Sequence, residues 1–117
     1  MPPDPSQFLP LKPVDLQLLL ALAQGELHGY GLVRAIGDGT GGLVELDPGN
    51  LYRVLKRLLA DGLVAESGKR AAVEGEERRR YYRITALGGR VLAAELERLG
   101  RLVASAPARA AARTFAT

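Results

Sequence analysis

Between Asp47 and Leu63 the chain reads DPGNLYRVLKRLLADGL, and several of these residues could bind a polyanion. At 100° per residue, Gly49, Asn50, Arg53, Lys56 and Arg57 share one side of a helix, with Tyr52 at its edge. Leu51, Val54, Leu55, Leu58 and Leu59 fill the other side at the spacing of one buried face. Arginine forks can grip a guanine edge or a phosphate, and asparagine can pair with adenine. Gly49 would let backbone come close, and a helix N-terminus offers N–H groups to phosphate. The plainer alternative is an amphipathic helix with a wet basic side. A second basic cluster follows. Lys69 and Arg70 open a polar stretch that Arg78, Arg79 and Arg80 close, with Glu74, Glu76 and Glu77 between them. The bases could straddle phosphates while the acids face water; a solvated loop is the alternative. If Ile84 faces the core, Tyr82 lies on the same side and Arg83 points out. Tyr82 could then pack with its ring and offer its hydroxyl to phosphate.

Other chemistries find little support. The chain has no cysteine, so disulfides, thiolate metal sites and cysteine nucleophiles are excluded. His28 is the single histidine, better suited to a turn or to packing than to metal binding. Ser6, Ser67 and Ser105 offer no credible triad with it. Gly37-x-Gly39-x-x-Gly42 matches a dinucleotide fingerprint in spacing only. It follows an expected helix and precedes an expected strand, the reverse of the order phosphate binding needs. No enzyme activity, cofactor or metal is expected. The longest apolar run, Leu18–Ala23, is far short of a membrane span, and MPPDPSQF lacks the pattern of a signal peptide. A cytoplasmic protein is expected.

The elements that must position these residues can be read along the 117-residue chain, which is long enough for one core. Residues 1–13 hold five of the seven prolines and read as an extended arm. Residues 14–24 read as a helix opened by Pro13, with Asp15 complementing its positive end. Its leucines surround the axis, so it should be buried on more than one side. A short helix is expected over 29–36, a strand at Leu43–Leu46, and a helix over 47–61 capped by Asp47 and closed by Gly62. Two strands follow, Leu63–Ser67 and Arg80–Ile84, then a helix from the Thr85 cap to Ser105. Pro107 reads as its stop and 106–117 as a loose tail. Charge is uneven along this order: residues 1–50 carry two bases and six acids, residues 51–90 ten bases and five acids. Such asymmetry points to a polyanion partner or to one solvated face.

Helix, helix, strand, helix, hairpin, helix is the layout of a winged helix-turn-helix. The expected fold is mainly α with a small β-wing (residues 14–85), followed by a C-terminal dimerisation helix (86–105). Three motifs, His28-Gly29-Tyr30, Pro48-Gly49-Asn50-Leu51-Tyr52 and Tyr81-Tyr82-Arg83-Ile84-Thr85, resemble the PadR family of bacterial transcriptional regulators over about residues 14–103. The single C-terminal helix resembles its shorter branch. The resemblance implies DNA contact by Tyr52 and the polar face beside it, with Lys69, Arg70 and the arginines before Tyr81 serving as the wing. Leu92, Leu96, Leu99 and Val103 recur at 4-3-4 spacing, a short coiled-coil-like seam that Leu16 and Leu20 could extend into a homodimer interface. Residues 86–104 contain no aromatic residue, so a small-molecule effector held between stacked aromatics is not expected there. The expected function is sequence-specific binding of double-stranded DNA at an inverted-repeat operator, with repression as the outcome. The competing reading is a winged-helix module whose partner is a protein.

Overall fold

A helix with leucines on every side has to be enclosed, and α1 (Pro13–Ala23) is the centre around which the other elements gather. Leu18, Leu19, Ala21 and Leu22 are buried, and α1 packs against α2 (Gly29–Gly39), α4 (Ala86–Ala104) and a strand. The computed structural model describes residues 3–67 and 80–116. Beyond α1 and α2 the order is α3 (Pro48–Ala60), then a hairpin of β2 (Val64–Glu66) and β3 (Tyr81–Ile84), then α4 and α5 (Ala106–Phe115). A two-residue strand, β1 (Leu27–His28), precedes α2. The antiparallel sheet has the order β1-β3-β2, with Leu27 opposite Tyr82 and Val64 opposite Ile84. This is the winged helix the sequence leads one to expect. Among the described residues, no helix is long and apolar enough to cross a membrane.

The caps explain where the main helices begin and end. Asp47 accepts the Asn50 N–H at 2.9 Å, Pro48 occupies the first turn, and Gly62 turns the chain with φ +78°. His28 caps α2, its Nδ1 accepting the Gly31 N–H at 3.0 Å. Thr85 caps α4 by accepting the Gly88 N–H at 2.9 Å, and donates its hydroxyl proton to the Gly62 carbonyl at 2.6 Å. The start of α4 is thereby tied to the end of α3. Gly88 makes the approach possible, because a Cβ there would stand 2.0 Å from the Leu63 carbonyl oxygen.

Three expectations are corrected. Residues 43–46 form no strand: Thr40 Oγ1 accepts the Val44 N–H and donates to the Ile36 carbonyl, which holds the segment in turns, and Leu43 is exposed. The third strand is Leu27–His28 instead. The tail is not loose. Ser105 accepts the Ala108 N–H and Pro107 sits in a first helical turn, so the residues read as a stop also start α5. The proline-rich arm contains a 3-10 turn at Pro5–Phe8, capped by Asp4, and packs against α4.

Glu95 anchors that arm. It is 1% exposed, accepts the Leu11 N–H at 2.7 Å, and forms an ion pair with Arg98. The hydrogen bond from Arg98 lowers its pKa from the ordinary 4.5, outweighing burial, with the Leu11 N–H and the charge of Arg98 acting in the same direction. A carboxylate held low stabilises the fold fully above its unfolded pKa, and that contribution drains as pH falls through the folded value. Glu95→Gln should therefore cost about 1–3 kcal/mol at pH 7 and flatten the loss of stability below pH of about 4.5. Urea titrations at several pH values check both. Gly88→Ala should cost about 3 kcal/mol through overpacking, while Gly89→Ala, with open space around it, should be neutral or stabilise by about 0.5–1 kcal/mol. Equal urea midpoints for the two variants would contradict the close approach at Gly88.

Candidate nucleic-acid interface

Helix α3 owes its orientation to its apolar side. Leu51, Leu55 and Leu58 are each 1% exposed or less, and Val54 and Leu59 are half-buried. Burying that side turns Gly49, Asn50, Tyr52, Arg53, Lys56 and Arg57 outward, and all six residues are exposed. The polar face read from the sequence is thus brought together on one surface. Its side chains are not equally available. The Asn50 amide nitrogen donates to Asp47 Oδ2 at 2.8 Å, so one of its donors is engaged within the cap. Arg57 reaches Asp15 in α1 through two hydrogen bonds of 2.8 and 2.9 Å, and Asp15 is buried at 4% exposure. The hydrogen bond from Arg57 to Asp15 raises the guanidinium pKa above its ordinary value despite partial burial, with the charges of Asp15 and Asp61 contributing further. Arg57 is therefore half of an ion pair with α1, and two of its five N–H donors are already engaged.

The hairpin gives a mixed result. Arg80 is exposed, with Glu66 Oε1 3.5 Å from its Nη1. Lys69, Arg70, Arg78 and Arg79 lie outside the described residues. Tyr82 is corrected. It shares the inward side of β3 with Ile84, as its register predicts, but at 3% exposure its ring belongs to the core. Burial is the main cause that raises its phenol pKa, with the negative charge of Glu66 contributing. A buried ring that fills the space beneath the sheet is no surface contact.

Two exposed residues beside this surface escaped the sequence reading. Tyr30, in the first turn of α2, is 66% exposed and has the Arg34 guanidinium 6.0 Å from its ring centroid. The His28 ring stacks on Tyr30 and meets Tyr81 edge-on, at centroid separations of 6.5 and 5.3 Å. Gly29, next to Tyr30, abuts Tyr52: a Cβ at Gly29 would lie 3.4 Å from the Tyr52 hydroxyl. Tyr30 and Tyr52 thus belong to adjoining parts of the helix-turn-helix. The His-Gly-Tyr motif carried that signal, but a motif alone does not say which way its tyrosine points.

The apolar residues expected at a dimer interface divide in two. Leu92 is 6% exposed and packed in the core of a single chain, so its assignment to the seam is corrected. Leu16, Leu20 and Leu99 are half-buried. Leu96 is 43% exposed and Val103 70% exposed, and Leu102 beside them is 54% exposed.

The arrangement is a winged helix with an exposed basic face on α3 and two helices, α4 and α5, after β3. The model for the transcriptional regulator PadR-like family matches residues 18–94, and the chain belongs to that family. It is 38% identical over 90 residues to an uncharacterized 37.1 kDa protein in transposon TN4556 of Streptomyces fradiae. The match takes in 75% of this chain but 24% of that protein, so the chain spans about a quarter of its relative's length. A transcriptional regulator from Clostridium thermocellum superposes with a TM-score of 0.66 at 25% identity, over 89% of this chain and 90% of that one. RosR of H. salinarum gives a TM-score of 0.67 at 26% identity, covering 92% of both chains. PadR of Bacillus subtilis, solved in complex with operator DNA, shares the fold with a TM-score of 0.62 at 22% identity, over 74% of this chain and 47% of that one.

The two exposed and buried tyrosines make a stability test of this surface. Tyr82→Ala should cost about 3–5 kcal/mol as a core truncation, whereas Tyr52→Ala should stay within about 0.5 kcal/mol of wild type. Thermal and urea unfolding of both variants decide it, and similar losses would contradict the inward placement of Tyr82.

Proposed function

We propose that this PadR-like protein is a homodimeric repressor that binds an inverted-repeat operator in double-stranded DNA. The observation that carries the reading is the polar face of α3: Gly49, Asn50, Tyr52, Arg53 and Lys56 stand exposed over buried Leu51, Leu55 and Leu58. In this reading α3 enters the major groove, where Arg53 and Asn50 read base edges and Lys56 and Tyr52 meet the backbone. Arg80, together with Lys69, Arg70, Arg78 and Arg79, follows the neighbouring phosphates or minor groove. PadR of Bacillus subtilis, which shares the fold, was solved in complex with operator DNA.

Exposed and half-buried apolar positions on α4 and α1 support the proposed dimer. Leu96, Leu99 and Val103 with Leu16 and Leu20 form the proposed seam, and Leu102 extends it. Two recognition helices about 34 Å apart would meet successive major grooves of one operator. Any small-molecule effector would act by favouring one spacing of those helices. The seam is aliphatic, so an aliphatic ligand suits it better than a planar aromatic one. A cytoplasmic setting accords with a DNA partner.

Selection of bound sequences from random duplexes at a stated salt concentration tests the reading. An enriched inverted repeat is the expected result; no enrichment would favour a protein partner instead. On the selected site, Arg53→Ala or Asn50→Ala should cost about 1–3 kcal/mol and relax specificity. Arg80→Ala should weaken all sequences alike and reduce the salt slope by about one. Light scattering should show dimers for the wild type and monomers for Leu96→Glu combined with Leu99→Glu. A monomeric wild type at micromolar concentration would contradict the seam.

A further inference from the structure

Arg57 stands next in line after Arg53 on the polar side of α3, yet its charge is spent inside the protein. Its Nη1 and Nη2 donate to the two carboxylate oxygens of Asp15, 42 residues away in the first turn of α1. The Asp15 side chain is 5% exposed and the Arg57 side chain 41% exposed, so the carboxylate lies inside the fold and the arginine at its surface. Asp61, the α3 C-cap one turn further on, adds a second negative charge that acts on the same guanidinium. A cleft of about 150 Å³ beside the pair is lined by Phe8, Lys12, Asp61 and Leu63, which brings the arm and the segment after α3 to the same point. A bidentate fork matches a carboxylate as closely as it matches a phosphate, so the two N–H groups taken by Asp15 are withheld from DNA. A phosphate approaching it would also meet the field of two carboxylates.

We infer that Asp15 is a positioning residue for DNA reading: it clamps Arg57, fixes the tilt of α3 against α1, and withholds one positive charge from the DNA backbone. This rests on the proposed DNA-binding function and adds a division of labour within one helix face. Arg53 and Lys56 face the nucleic acid, while Arg57 is a strut. Removing Asp15 then has two separate effects. It frees a guanidinium at the DNA-facing surface, which raises affinity for any sequence. It also lets α3 shift, which lowers discrimination.

Equilibrium titrations of a selected operator and a random duplex, each across a range of salt, test the inference on the wild-type chain, Asp15→Asn and Arg57→Gln. Circular dichroism establishes that each variant is folded. Arg57→Gln should leave the salt slope on random duplex unchanged while the operator-to-random affinity ratio falls roughly tenfold, about what one mismatched base pair costs. Asp15→Asn should steepen the slope by about 0.9 per freed phosphate contact in each subunit and lower the same ratio. A slope reduced by a similar amount in Arg57→Gln, or an unchanged slope in Asp15→Asn, would overturn the inference. Should either variant fail to fold, the assigned Arg57 side-chain resonances of the wild type serve instead. They should hold still when operator DNA is added, while those of Arg53 move; a shift at Arg57 matching that at Arg53 would overturn it. A wild type that binds no duplex would refute the DNA-binding reading itself, an outcome distinct from either slope result.

Discussion

Everything in this structure depends on one burial: the apolar side of α3 has to be covered. Leu51, Leu55 and Leu58 are packed in the core with Leu18, Leu19 and Leu22 of α1 and Leu32 and Ile36 of α2. Each fully buried leucine contributes on the order of 2 kcal/mol, so rotating α3 to bury its polar face would forfeit several kcal/mol and strand charges in the core. The outward direction of Arg53 and Lys56 is therefore a consequence of where the leucines are. The basic surface is built by the core, and the hairpin and α2 merely frame it.

Burial alone fixes the rotation of a helix better than its tilt or its slide. Two polar junctions supply the rest. At its C-terminal end, Thr85 bonds the Gly62 carbonyl and caps α4, with Gly88 pressed against the Leu63 carbonyl. On its flank, Asp15 takes the fork of Arg57. These link α3 to α4 and to α1, the elements that carry the proposed seam. The Glu95 carboxylate in turn ties α4 to the proline-rich arm through the Leu11 N–H. The proposed reading face and the proposed dimer face are thus parts of one polar and apolar framework. A shift at one has a physical route to the other.

How much was legible in the sequence follows from how local each signal was. Helix α3 was readable because its cap, first-turn proline, apolar period and closing glycine all fall within Asp47–Gly62. The α4 start was readable from Thr85 for the same reason. Strand β1 was not, because two residues cannot show a period of two. Leu43–Leu46 has the apolar content of a strand, but Thr40 captures its backbone in a turn. Ser105 and Pro107 read as an ending, although the same residue types open helices, and α5 begins there. The misplaced site residues share another cause. Tyr82 and Leu92 each lie on a face whose covering element comes from elsewhere in the chain, and the carboxylate that pairs with Arg57 comes from α1. Periodicity says that a face exists, and only the packed structure says what lies over it.

The claim on which the account stands is that the exposed face of α3 reads the major groove. Methylation interference on the selected operator tests it most directly, because guanine N7 lies in the major groove and adenine N3 in the minor groove. The account predicts that N7 methylation blocks binding at two clusters of guanines about one helical turn apart. It also predicts that this interference is relieved at particular guanines in Arg53→Ala. Binding that tolerates every N7 methyl group and is lost only when adenine N3 is methylated would contradict it.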